Sequence, residues 1–249
     1  MTDVATPLAA AASPDTPASK SLGARALGVI FSPSETYTDV AAHPRVLGMM
    51  TLVLLISISA SVAFLMTDVG KDALFDQQLD TMESMGFRVT DQMYDALERR
   101  LPYAPITSAG FMLVSFPIVL AAVAGIITGV FSLAMGGAAT YKQVYAVVTH
   151  SAILLALQQV FVNPLNYARE LMSSPTTLAA FFPFLDEMTF MARLLGGIDL
   201  FLIWAFINLA IGVGVLYKRK TAPIAIGMLA LYVSIVLIVA AVRTALSGA

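Results

Sequence analysis

Polar and apolar positions along this chain do not alternate; they fall into long blocks. Five blocks are apolar enough and long enough to cross a bilayer, which takes about 20 helical residues. They run Val46–Met66, Ile106–Met135, Val144–Val162, Ile198–Tyr217 and Ala222–Val242. Each is predicted to be a helix, because a span in lipid must satisfy its own backbone hydrogen bonds. The second block is too long for a straight crossing: thirty helical residues reach about 45 Å, against a hydrocarbon core of about 30 Å. It must tilt, kink or project from the membrane. Pro117 is the candidate kink, since proline removes one helical donor and crowds the preceding turn.

Between these blocks the pattern changes character. Residues 1–20 are rich in Ala, Pro, Ser and Thr and read as a flexible tail. Residues 21–45 are amphipathic. Leu22, Leu27, Val29, Ile30 and Phe31 lead into Ser32-Pro33-Ser34-Glu35, which has capping-box spacing with proline at the first helical position. A helix over Pro33–Ala42 should follow, ending before Pro44. The whole segment is expected to lie in the inner interface. The loop at 67–105 keeps helical spacing at Phe75, Leu79, Met82 and Gly86, then at Met93 and Leu97, with acids between. It predicts a short helical hairpin capping the bundle, turning near Gly86. The second outer loop, 163–197, carries Phe181, Phe182 and Phe184, suited to the membrane interface. A short tail covers 243–249. The fold class is therefore an all-α, polytopic membrane bundle of about five spans.

Composition agrees. Of 249 residues, 58% are hydrophobic and 12% charged, about half the roughly 25% charge usual in soluble domains. The net charge of −2 gives no case for nucleic acid as a partner. With no cysteine and two histidines, disulfides, thiolate metal sites and cysteine nucleophiles are excluded, and no cofactor is expected. Orientation follows from Lys and Arg in short flanks. Lys20, Arg25, Arg45, Lys142, Lys218, Arg219 and Lys220 fall on one side. An equal number fall on the other but are spread over two long loops and the C-terminal tail. The density of Lys218–Lys220 decides for an N-terminus in the cytoplasm and a C-terminus outside.

Three stretches together resemble the Yip family, integral membrane proteins named for interaction with Ypt/Rab GTPases. They are Phe31 to Gly48 (FSPSETYTDVAAHPRVLG), Tyr141 to Ser151 (YKQVYAVVTHS), and Gly197 to Trp204 (GIDLFLIW) followed by Gly212 and the basic turn Lys218–Ala222. Their order and spacing over about residues 22–242 carry the likeness, which is to prokaryotic members. The resemblance implies five spans and a bacterial inner membrane. It also implies a non-enzymatic role through membrane-protein contacts or membrane organisation.

Candidate chemistry is sparse. Asp199 is an acid in an apolar block, which by default marks a functional site. Its place in the first turn of the fourth span, where the helix dipole favours an anion, also suits a structural role. Asn208 in the same span, and His150, Gln158 and Gln159 in the third, suit hydrogen bonds between helices, worth about 0.6–2 kcal/mol each. Together with Pro117, Asp199, Asn208 and His150 support a second reading: a small transporter, channel or transporter subunit, in which these groups line one wet cavity. Ala121, Gly125 and Gly129 form a small-residue stripe. It suits close packing against another span of the chain, or a homo-oligomer seam. HExxH, Walker A and dinucleotide-binding patterns are absent, so an enzyme is not expected. The partners implied are the lipid bilayer and other membrane proteins or a second copy.

Overall fold

A computed structural model describes residues 19–186 and 188–246; the proposed tail therefore lies almost wholly outside the described residues. The described chain is helical, and its elements in order are α1 Leu22–Phe31, α2 Pro33–Ala42, α3 Leu47–Leu65, α4 Asp68–Ser84, α5 Asp91–Glu98, α6 Ala104–Thr128, α7 Tyr141–Ser151, α8 Ile153–Arg169, α9 Phe190–Gly196, α10 Leu200–Tyr217 and α11 Thr221–Leu246. No strand occurs among the described residues; one isolated bridge joins Thr177 and Asp199. Five stretches are long and apolar enough to span: α3, α6 with its extensions, α7–α8, α10 and α11.

The spans differ in depth. Of the most apolar window in α7–α8, 61% is buried, against 17% in α6 and in α11. Its hydropathy is also lowest, 1.5 against 2.2–2.7 elsewhere. The two facts have one cause. A central helix is solvated by protein, so it carries polar residues, whereas a peripheral helix must be apolar all round. Around α7–α8, α3 packs on α8 and α6, α6 on α7, and α10 on α7, α11 and α2. The core joins Tyr37, Met49, Val53, Leu120, Val147 and Val213, among others.

The amphipathic lead-in goes deeper than an interfacial helix. Exposed Leu27 and Phe31 keep one side of α1 outward, but Thr36, Tyr37 and Val40 of α2 are fully buried against the spans. The expected capping box at Ser32 and Glu35 does not form: Ser32 makes no side-chain cap, and Glu35 instead pairs with Lys20 at 2.8 Å. The reason is that α1 runs almost directly into α2, so the Ser32 N–H is already used by the Gly28 carbonyl at 2.7 Å.

The hairpin over the far end is present. α4 ends in a left-handed Gly86, φ 80°, and Phe87 N–H reaches back to the Met82 carbonyl at 3.0 Å, a geometry that suits glycine. Phe75 of α4 and Tyr94 of α5 meet edge to face at 4.8 Å. Arg243 of α11 donates to Ser84 at 2.7 Å. The third span runs longer than its hydropathy suggests. α8 continues through Pro164 to Arg169, so the second loop begins after Arg169 rather than at Asn163. Polar Asn163 and Asn166 ended the apolar block, but both still lie on helix.

Pro117 sits inside α6, which runs uninterrupted past it and changes only at a π-helical turn, Gly129–Ala134. Tyr141 and Tyr145 of α7 donate to the carbonyls of Ala121 (3.0 Å) and Pro117 (3.4 Å).

Glycine decides how closely α10 approaches its neighbours. A Cβ at Gly212 would lie 2.5 Å from Val147 Cγ1 and 3.1 Å from the Tyr37 ring. Gly212→Ala should therefore destabilise by about 1–3 kcal/mol through overpacking. Gly125→Ala, where a Cβ meets nothing within 4 Å, should leave stability unchanged or raise it by up to about 1 kcal/mol through helix propensity. Thermal unfolding in detergent, followed through Trp204, checks the contrast.

Candidate functional site

The intramembrane polar residues fall into two sets at different levels. Asp199 and Asn208 stand nine positions apart on one helix, about 13 Å along its axis, and each belongs to a different set.

The deeper set is built by Tyr37 from α2, Ser151 from the end of α7 and Asn208 from α10. Tyr37 Oη donates to Asn208 Oδ1 at 2.7 Å. The Ser151 hydroxyl, 2.7 Å from Tyr37 Oη, donates to it or to the Val147 carbonyl 3.0 Å away. Asn208 Nδ2 donates to the Val29 carbonyl at 2.8 Å. The side-chain amide is thus filled on both ends and joins α1, α2, α7 and α10.

The second set surrounds Asp199, the N-cap of α10 and 5% exposed. Oδ1 accepts from the N–H groups of Phe201 (2.8 Å) and Leu202 (3.3 Å). Oδ2 accepts from Gln158 Nε2 (2.8 Å), Ser174 Oγ (2.8 Å) and Thr176 Oγ1 (2.6 Å). A carboxylate offers about four lone-pair positions, so five donors leave no face free. The backbone is held as well. Asp199 N–H donates to Tyr232 Oη at 2.9 Å, which donates to the Gly197 carbonyl at 2.6 Å. Leu200 N–H meets the Thr176 carbonyl at 3.0 Å. The second loop is thereby fastened to α8, α10 and α11.

Of the residues singled out in sequence, Asp199 and Gln158 come together. Asn208 joins a different group, and Gln159 makes no side-chain hydrogen bond among the described residues. His150 is fully buried; its Nδ1 lies 2.7 Å from the Ala146 carbonyl and its Nε2 has no partner. Sequence reasoning missed Tyr37, whose signal was modest: a tyrosine on the Thr36–Tyr37–Val40 stripe of an amphipathic helix. The Ala121–Gly125–Gly129 stripe is divided: Ala121 is half-buried and its carbonyl accepts from Tyr141 of α7, whereas a Cβ at Gly125 or Gly129 would meet nothing within 4 Å. α6 turns Leu120, Ala124 and Ile127 inward, and Gly125 and Gly129 lie toward the opposite, open side.

A third polar cluster holds the lead-in segment shut. Arg25, 3% exposed, donates through Nε to Asp39 Oδ2 at 2.7 Å and through Nη1 to the His43 carbonyl at 3.1 Å. Burial pushes the Asp39 carboxyl up. The backbone N–H of Lys20, the Arg25 guanidinium and the His43 hydrogen bond outweigh that effect and hold it below the usual carboxylate range.

A family model of the Yip1 domain matches residues 27–243. The match covers the second half of α1, all of α2, both polar sets and the five spans up to the last turn of α11. The chain belongs to the Yip1 domain family. No curated protein and no solved structure matches it. The family is one of non-enzymatic membrane proteins, and the five apolar helices place this Yip1 domain protein in a bilayer. Among the described residues, no group of three His, Cys, Asp or Glu side chains stands close enough to hold a metal ion.

Two outcomes follow for this Yip1 domain protein. Asp199→Asn keeps a capping oxygen for Phe201 and Leu202, so it should destabilise less than Asp199→Ala, which strands buried donors and loses about 1–3 kcal/mol; melting temperatures in one detergent rank the pair. The Asp39 carboxyl is depressed in the fold, so its stabilisation is complete above the ordinary carboxylate value of about 3.9 and is lost as pH falls through the lower, folded value. Unfolding scans below about pH 4 should therefore show a steeper loss for the native chain than for Asp39→Asn.

Proposed function

We propose that this protein is a non-enzymatic organiser of the membrane, acting through contacts with other membrane proteins. The observation that carries the reading is the separation and closure of its polar sets. Asp199 with Gln158, and Asn208 with Tyr37, are each saturated by neighbours at different levels of α10. A solute path needs polar groups facing one shared cavity; these face one another. Asp199 is thus a structural clamp and Asn208 a helix-to-helix tie. The open side of α6, with Gly125, Ile126 and Val130 outward, offers a surface where another helix approaches closely, whether a partner's or a second copy's. The basic run Lys218–Lys220 lies in the cytoplasm with the N-terminus, the C-terminus lies outside, and the membrane is a bacterial inner membrane; the support is the positive-inside rule and the likeness to prokaryotic members.

Proteoliposomes holding the native protein should show no ion or solute flux above protein-free vesicles, and Asp199→Asn should change nothing. Flux by the native protein that Asp199→Asn abolishes, with folding intact, would establish a transporter instead.

A further inference from the structure

One cavity, of about 340 Å³, opens where α1, the start of α3 and the end of α7 meet. Its size falls in the range of small-ligand sites. Lys20, Arg25, Arg45, Met49 and His150 are among its lining residues, and no acidic residue is. Lys20 and Arg25 are paired with Glu35 and Asp39, neither of which lines the cavity. Arg45 is exposed and has no acidic partner among the described residues. The site therefore keeps a net positive charge. The span beside it adds to this: the N-cap of α3 is Val46, which supplies no side-chain cap, so the positive end of its dipole is left uncovered.

Two buried nitrogens of the lining have no hydrogen-bond partner, Arg25 Nη2 and His150 Nε2. Such atoms are rare in native interiors and call for a partner. They ask for opposite things. A guanidinium nitrogen only donates. His150 Nδ1 must carry a proton, because the Ala146 carbonyl beside it can only accept; in the neutral ring Nε2 is then an acceptor. Water could serve both but leaves the excess positive charge unanswered. A ligand ammonium could serve His150 but is repelled by the unpaired Arg45.

We propose that this cavity binds a phosphodiester bearing a free hydroxyl. The phosphate oxygens accept from Arg25 Nη2, Arg45 and Lys20 near the α3 N-terminus, and the hydroxyl donates to His150 Nε2. The same chemistry exists in a glycerol-headed anionic lipid and in soluble glycerophosphodiesters. Leu22 and Met49 line the cavity beside the polar groups, which suits a lipid whose chains run along α3.

The test uses delipidated full-length protein in neutral detergent, with thermal unfolding and native mass spectrometry as readouts. Phosphatidylglycerol should raise the melting temperature and remain bound, while phosphatidylethanolamine and phosphatidylcholine should do neither. Arg45→Gln, at an exposed position, should leave the ligand-free melting temperature unchanged and weaken phosphatidylglycerol binding about tenfold, the worth of one charge-assisted hydrogen bond. His150→Leu should reduce the preference for phosphatidylglycerol over hydroxyl-free phosphatidylmethanol. Glycerophosphoglycerol that binds as tightly as the lipid would assign the site to the soluble diester. Equal shifts with phosphatidylcholine, or full binding by Arg45→Gln, would overturn the proposal.

Discussion

Lipid offers no hydrogen bonds, so a polar group within this bundle must find its partner in the protein or stay outside. The junction of Tyr37, Ser151 and Asn208 meets that constraint, and the arrangement of the α1–α2 end of the bundle depends on it. Asn208 on α10 has one acceptor and one donor end to fill. Tyr37 fills the first, and the Val29 carbonyl fills the second. Both come from the lead-in segment, so α1 and α2 are integral to the bundle rather than merely laid on it. Gly212, one turn along α10 from Asn208, is what allows the Tyr37 ring and Val147 to come within reach. A larger residue there would separate the partners and leave Asn208 unfilled.

The same constraint, met at the other end, explains Asp199. A carboxylate near the edge of an apolar segment is tolerated where donors surround it, and the uncapped N–H groups of a helix start are two such donors. The remaining three come from α8 and from the loop after it. Asp199 therefore does two jobs with one charge: it starts α10 and fixes a long loop that has little regular structure. Tyr232 of α11 completes the fastening from the third side.

This division shows what was legible in the sequence. The five spans were plain because hydropathy is a property of each segment alone, and the α4–α5 hairpin was visible from local spacing ending at Gly86. Asp199, Asn208 and Gln158 stood out because polar groups are conspicuous against apolar neighbours. Their partners did not. Ser174, Thr176 and Tyr37 lie in polar or mixed segments where a hydroxyl carries no signal, and which of them reach a carboxylate depends on helix placement. The end of the third span was misread because Asn163-Pro164 resembles a stop, whereas Pro164 is carried within α8. The glycine stripe of α6 suited either an internal or an intermolecular seam, because a helix apolar on every side gives no hint in sequence of which face turns inward.

Charge placement separates the α1–α2 end of the bundle from the rest. Asp39 and Glu35 neutralise Arg25 and Lys20 but are not among the lining residues, which leaves the cavity lined by basic residues and no acid. A segment needed only to seal the bundle would use apolar residues there, since a buried guanidinium with one idle nitrogen is a liability for stability. The arrangement makes sense if something anionic completes it. Because Arg25 also ties α1 to α2, and α2 carries Tyr37, a ligand at this place would be coupled to the junction on which the α1–α2 end of the bundle rests.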